Sequence, residues 1–198
     1  IKRFDLDTAI IFSDILMVPY ALGQNVIFMK DEGPKMSEFD YENFLDNSEK
    51  SFTSKLTPIY KAIETTRKKL DKKKSLIAFI GAPWTLLIYM MGIKKNKTEL
   101  HIDKLNSKKI KINKILDELI KYLCIHIKNQ ISAGADVIQI FDSWAGLIPN
   151  DNIATYCFTP NAKIVDFCKK EKIPNICFPK GIKKKYEEFN KFVKPNGI

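Results

Sequence analysis

Asp14 closes the apolar run Thr8-Ala9-Ile10-Ile11-Phe12 after one serine, and Asp142-Ser143 closes a second run, Val137-Ile138-Gln139-Ile140-Phe141. Between them Leu76-Ile77-Ala78-Phe79-Ile80 ends in Gly81-Ala82-Pro83-Trp84-Thr85, with Tyr89 a turn further on, and Pro174-Asn175-Ile176-Cys177-Phe178 ends near Lys180-Gly181. A carboxylate at the end of a buried strand can collect several N–H donors at once, or stabilise a cation that forms beside it. It can equally cap the helix that follows. Ser143 fits a substrate-binding hydroxyl or a turn hydroxyl, with Asp142 beside it as a rival for the more important group, and Tyr89 fits a binding phenol or a core aromatic.

Chemistry elsewhere in the chain is thin. His101 lies in a lysine-rich linker and His126 beside Ile127, positions that suit exposed or structural histidines. Cys124, Cys157, Cys168 and Cys177 form no CxxC pair, and Cys124-x-His126 is the nearest approach to a zinc ligand set, so buried reduced thiols are expected and no metal site. The formal charge of +10 invites an anionic partner, but arginine occurs only at Arg3 and Arg67. The runs Lys72-Lys73-Lys74, Lys94-Lys95, Lys108-Lys109 and Lys183-Lys184-Lys185 are dispersed and lack interleaved aromatics. That pattern fits solvated faces better than a nucleic-acid groove, where guanidinium forks and stacking rings do the work. Ile1-Lys2-Arg3-Phe4-Asp5 does not resemble a signal peptide, so a cytoplasmic protein is expected. Leu76 to Ile93 carries no charge and approaches the length of a membrane span, but Gly81-Ala82-Pro83 would break a continuous helix, which points to strand, turn, helix and to no membrane partner.

The elements that must position these groups follow from periodicity. Thr8 to Phe12 is nearly all apolar, the pattern of a strand covered on both faces. After a Gly33-Pro34 turn, Leu56, Ile59, Tyr60, Ile63 and Leu70 share a helical face. Ile112, Ile115, Leu116, Leu119, Leu123, Ile127 and Ile131 mark a second amphipathic helix, with Gly134 as its stop. A third helix follows Pro160 through Ile164, Val165, Phe167 and Cys168, and a short last one would bury Tyr186, Phe189, Phe192 and Val193. About four buried strands alternating with helices predict an α/β protein with a parallel sheet, and one incomplete domain over 1–198. GxGxxG and GxxxxGK[ST] are both absent, which favours a partial (β/α)8 TIM barrel over a doubly wound nucleotide binder. In a barrel the strand ends named above converge on one mouth.

At this point the residues resemble a known family. Asp5-Leu6-Asp7-Thr8-Ala9-Ile10-Ile11-Phe12-Ser13-Asp14-Ile15-Leu16 with Pro19, Ala21-Leu22-Gly23 and Glu32-Gly33-Pro34 is similar to the long signature of uroporphyrinogen decarboxylases. Gly81-Ala82-Pro83-Trp84-Thr85-Leu86 with Tyr89-Met90, then Ala133-Gly134-Ala135-Asp136 through Ile140-Phe141-Asp142-Ser143-Trp144-Ala145-Gly146, follow in the same order, and Phe178-Pro179-Lys180-Gly181 fits the next strand end. The resemblance implies a cofactor-independent carboxy-lyase that removes carbon dioxide from the acetate arms of uroporphyrinogen III, giving coproporphyrinogen III in haem biosynthesis. It implies Asp14 as the catalytic carboxylate, Tyr89 and Ser143 as substrate-binding hydroxyls, Gly81 as a backbone N–H donor and Phe141 as an apolar wall. A homodimer is implied as well.

The family also carries an earlier strand with an arginine-rich substrate loop and later strands ending in a histidine motif. Neither is found here, so the chain is expected to be a central fragment, inactive by itself. Met91-Gly92-Ile93-Lys94-Lys95-Asn96-Lys97 replaces the family's usual glycine-rich loop. Two alternatives stand beside the decarboxylase: a corrinoid-linked or thiol methyltransferase of the same superfamily, which would need a histidine-cysteine zinc set, and a non-catalytic tetrapyrrole-binding module.

Overall fold

The computed structural model describes residues 1–29, 33–93 and 109–198. Glu32, His101, Lys94-Lys95, Lys108 and residues 94–108 of the lysine-rich loop lie outside the described residues. In chain order the elements are β1 (Thr8–Ile10), α1 (Met17–Ala21), β2 (Val26–Met29), β3 (Gly33–Met36), α2 (Tyr41–Leu45), α3 (Glu49–Lys69), β4 (Ser75–Gly81), α4 (Pro83–Met90), α5 (Lys109–Ser132), β5 (Val137–Asp142), α6 (Thr159–Lys170), β6 (Asn175–Pro179) and α7 (Tyr186–Val193).

β1, β4, β5 and β6 form one sheet in that spatial order, and every neighbouring pair is parallel. The order never reverses. A doubly wound sheet changes direction at a switch point, whereas a barrel adds each strand beside the last, so this topology is a barrel segment. Side chains alternate across the sheet because the strand period is two. On β5, Ile138 and Ile140 enter the core shared with the helices, while Val137, Gln139 and Phe141 point to the opposite face and are only half-buried.

The long helices are legible from local chemistry. Ser48 caps α3, accepting from Ser51 N at 3.2 Å, and Phe52, Leu56, Ile59 and Ile63 form its buried stripe. Its C-terminal turn carries Arg67, whose guanidinium donates to the carbonyls of Leu70, Asp71 and Lys74 and to Asp136 Oδ2 at 2.7 Å. Asp136 Oδ2 also accepts from Leu76 N at 2.8 Å, so this acid fastens the start of β4 and takes no part in the mouth. α5 buries its expected stripe from Ile112 to Ile127, leaves Ile131 half-buried, and ends at Ser132, just before Gly134, which adopts a φ of 105° that favours glycine. The uncharged stretch from Leu76 resolves into β4 and α4, and no helix among the described residues is long and apolar enough to cross a membrane.

Three local expectations are corrected. The first apolar run is a strand only over Thr8–Ile10, and it is not covered on both faces, since Ile10 is 50% and Phe12 83% exposed. Their face of the sheet is left open by the described residues, so apolar character there does not mean burial. Gly33-Pro34 is no turn: both belong to β3, paired antiparallel with β2 in the register Phe28↔Pro34 and Met29↔Gly33. In α7 only Phe189 and Val193 are buried. Tyr186 stays at the surface, where its hydroxyl accepts from Gly181 N–H at 3.3 Å, and Phe192 lies at the rim of the stripe against Phe158.

Candidate active site

The strand ends on the open side of the sheet enclose a cleft of about 430 Å³, lined by Ile10, Phe12, Ser13, Asp14, Ile15, Leu16, Pro34, Phe79, Tyr89, Phe141 and Ser143. Four of the five residues singled out from sequence, Asp14, Tyr89, Phe141 and Ser143, therefore share one cavity. They come from three segments of the chain: the turn after β1, the last turn of α4 and the end of β5.

Asp14 follows β1, whose pairing runs one residue further through Ile11 N donating to Ile77 O at 3.1 Å. Its Oδ1 then accepts from Leu16 N at 2.8 Å, and its carbonyl accepts from Met17 N at 3.0 Å. This is an Asx turn that redirects the chain into α1, and the N-cap position itself belongs to Leu16. Oδ2 has no hydrogen-bond partner among the described residues and remains available to a ligand.

The walls are aromatic. Phe12, Phe79, Phe141 and Phe178 form a ladder across the four parallel strands, with ring centroids 6.0, 5.4 and 6.0 Å apart in that order. Tyr89, on the last turn of α4, meets Trp144 edge to face at 5.8 Å. Pro34 reaches the cleft from the hairpin of β2 and β3, whose base is tied to the end of α4 by Gln24 Nε2, which donates to Ser37 O at 2.7 Å and Met90 O at 2.9 Å.

Gly81 does not line the cavity. It lies opposite Phe141 in the sheet register, and a Cβ there would fall 2.7 Å from Leu86 Cδ2 and 3.1 Å from Ile15 Cβ. What the structure uses at Gly81 is the missing side chain, which lets the Asp14 turn settle against β4. Lys180 is also away from the lining: it is exposed, and its backbone joins the β5 and β6 ends through Lys180 N to Asp142 O at 3.1 Å and Gly146 N to Lys180 O at 2.9 Å.

Asp142 points away from the cleft and is 1% exposed. Its Oδ1 accepts from Thr85 Oγ1 at 2.8 Å and its Oδ2 from Asn161 Nδ2 at 2.9 Å. Thr85 Oγ1 in turn accepts from Trp144 N at 3.1 Å, and Asn161 Nδ2 also donates to Cys157 O at 2.8 Å. Burial pushes Asp142 up to about 6, against the opposing pull of the Thr85, Asn161 and Cys157 hydrogen bonds. Thr85 and Asp142 stand in runs already noted in the sequence, but nothing marked Asn161 or the π-helical turn Ala154–Phe158 before it.

The remaining candidates fall elsewhere. His126 is buried, with Tyr60 Oη 3.0 Å from Nδ1 and Gln130 Nε2 3.1 Å from Nε2, and burial pushes it down to about 3, so it is a neutral packing group. Cys157, Cys168 and Cys177 are buried free thiols and Cys124 is half-buried. Trp84 is buried and stacked on Tyr156.

Comparison with known proteins gives a consistent picture. The family described as Uroporphyrinogen decarboxylase (URO-D) matches residues 1–195. A uroporphyrinogen decarboxylase of Orientia tsutsugamushi (strain Boryong) is 43% identical over 203 residues, covering 100% of this chain and 58% of the relative. One of Rickettsia bellii (strain RML369-C) is 39% identical over 197 residues, covering 96% of this chain and 56% of the relative. This chain thus spans somewhat under three fifths of the length of such relatives. Among solved structures, a methyltransferase from Methanosarcina mazei is similar with a TM-score of 0.66 and 17% identity, over 87% of this chain and 51% of that one. Similarity at that identity speaks for the shared fold alone.

Proposed function

The chain belongs to the uroporphyrinogen decarboxylase family, and on that premise we propose that it supplies one side of an active site that decarboxylates the acetate side chains of uroporphyrinogen III to methyl groups, yielding coproporphyrinogen III. The observation that carries this is the single cleft in which one carboxylate, Asp14, stands among aromatic walls with the phenol of Tyr89 and the hydroxyl of Ser143. A porphyrinogen is a reduced, flexible macrocycle whose pyrrole N–H groups can turn toward one face. A carboxylate oxygen without a protein partner, as Asp14 Oδ2 is among the described residues, can accept them.

Loss of carbon dioxide from an acetate arm leaves an electron pair on the carbon next to the ring. A protonated pyrrole accepts that pair, a second proton adds to that carbon to complete the methyl group, and the ring releases the proton it took up first. Asp14 would stabilise the cationic ring, with an effect strengthened by the apolar walls of Phe79 and Phe141. Tyr89 and Ser143 would donate to substrate carboxylates, and Phe141 would carry the macrocycle's apolar face. Gly81 enters through spacing, by allowing the Asp14 turn to approach. The same proposal takes over from the resemblance a homodimer in the cytoplasm that acts on a small molecule without cofactor or nucleic acid.

The decisive experiment measures carbon dioxide release from uroporphyrinogen by the full-length protein and by its Asp14→Ala variant. Removing a preorganised charge of this kind lowers the rate by on the order of 10²- to 10³-fold. Equal rates would overturn the assignment.

A further inference from the structure

Asp142 poses a problem that the proposed chemistry does not solve. It is a carboxylate 1% exposed, and no lysine, arginine or histidine pairs with it among the described residues; only neutral donors hold it. Burying such a group is costly, and packing would be served as well by an apolar residue of the same size. What the carboxylate does hold is the turn that carries Ser143.

The hydrogen bonds have a direction. Thr85 has one hydroxyl proton, and the 2.8 Å contact to the acceptor Asp142 Oδ1 fixes where it goes. The hydroxyl oxygen is then left to accept from Trp144 N, which it does at 3.1 Å. Ser143 therefore sits between two residues that are both tied to the same carboxylate, Asp142 directly and Trp144 through Thr85. Trp144 is gripped a second time, its carbonyl accepting from Trp84 Nε1 at 3.3 Å, and its ring supports Tyr89 edge to face. On its other side Asp142 is anchored through Asn161 to the carbonyl of Cys157 in the π-helical turn. Gly146 lets this loop close against the next strand end, since a Cβ there would lie 2.8 Å from Gly181 O.

Resting on the decarboxylase proposal, we infer that Asp142 is a positioning residue that acts through the Thr85 hydroxyl. It locks the Ser143–Trp144 peptide, and through the Trp144 ring it steadies Tyr89, so that both hydroxyls stand in the cleft in fixed places before an anionic substrate arrives. Preset donors spend less of their binding energy on ordering. The consequence falls on substrate binding rather than on the bond-breaking step.

The test uses the full-length protein with Thr85→Val, Thr85→Ser, Ser143→Ala and the Thr85→Val/Ser143→Ala double variant, reading KM and kcat for carbon dioxide release from uroporphyrinogen. Thr85→Val, which keeps the shape and removes the hydroxyl, should raise KM about ten-fold with kcat changed less than about two-fold, and Thr85→Ser should restore KM. In the double variant the Thr85 change should add less to the effect of Ser143→Ala than it causes alone, because the part exerted through Ser143 is already lost and only the part through Tyr89 remains. An unchanged KM in Thr85→Val, or effects that multiply in the double variant, would overturn the inference. Hydrogen exchange at the Trp144 amide decides it independently of turnover: exchange about ten-fold faster in Thr85→Val but not in Thr85→Ser supports the lock, and equal exchange in all three proteins refutes it. Should the wild type release no carbon dioxide, the decarboxylase proposal fails on that result, while the amide measurement still judges the lock.

Discussion

Asp14 and Asp142 leave strands that flank the same neighbour, β4, and the two acids meet opposite surroundings. Asp14 lines the open cleft and is half-buried, with one oxygen spent on the Leu16 N–H of its own turn. Asp142 faces the helices, where Thr85, from 57 positions away, and Asn161, from 19, converge on its two oxygens. The difference comes from where each acid stands: Asp142 is the last residue of β5 and shares the core face with Ile138 and Ile140, whereas Asp14 lies beyond the end of β1 in a turn beside the cleft. Identical chemistry is thus divided between a carboxylate free to meet a ligand and one committed to holding its neighbours.

That division breaks most readily at Asp142. Its folded value of about 6 lies above the ordinary 3.8, so the folded protein holds this proton more tightly than the unfolded chain does. The stabilisation is complete below about 4 and is lost as pH rises through 6. Relative to Asp142→Asn, the wild type should therefore gain up to about 3 kcal/mol between pH 7 and pH 4, measured by urea unfolding of both proteins at each pH. Cys157 and Cys177, the thiols nearest this charge, are pushed up by burial and stay neutral throughout. His126, held neutral by burial, weakens both proteins alike as pH falls. A difference that stays flat over this window would mean that Asp142 is not buried in the folded protein.

A smaller effect is expected where β4 passes between the two acids. Gly81→Ala places a methyl 2.7 Å from Leu86 Cδ2 and 3.1 Å from Ile15 Cβ, and should cost about 2 kcal/mol in chemical denaturation while displacing the Asp14 turn. Smallest of all is the expected stability effect of Asp14→Ala, about 1 kcal/mol for one turn hydrogen bond, in contrast to the large effect proposed for turnover. A loss as great as that of a core substitution would make Asp14 a structural acid and erase the contrast.

The parallel strands were legible because runs such as Leu76 to Ile80, and Val137 to Phe141 apart from Gln139, are apolar, and the helices α3 and α5 because Leu56, Ile59, Tyr60 and Ile63, or Ile112 to Ile127, recur at helical spacing. The hairpin of β2 and β3 was not legible. Pro34 reads as a turn signal, and a two-stranded ribbon tolerates a proline that a central strand would reject. Ile10 and Phe12 misled for another reason: periodicity reports which face is apolar and says nothing of what covers it.

The sequence by itself determined the order of the parallel strands and of the helices between them that cover the sheet, the family, and the candidates Asp14, Tyr89, Phe141 and Ser143, since these depend on residue type and on spacing along one strand or helix. Only the tertiary structure decided that those four share one cleft, that Gly81 serves by its missing side chain, and that Asp142 turns inward to Thr85 and Asn161. Each of these depends on segments brought together across the chain, and no local pattern encodes the register in which parallel strands meet or the partner that a buried carboxylate finds.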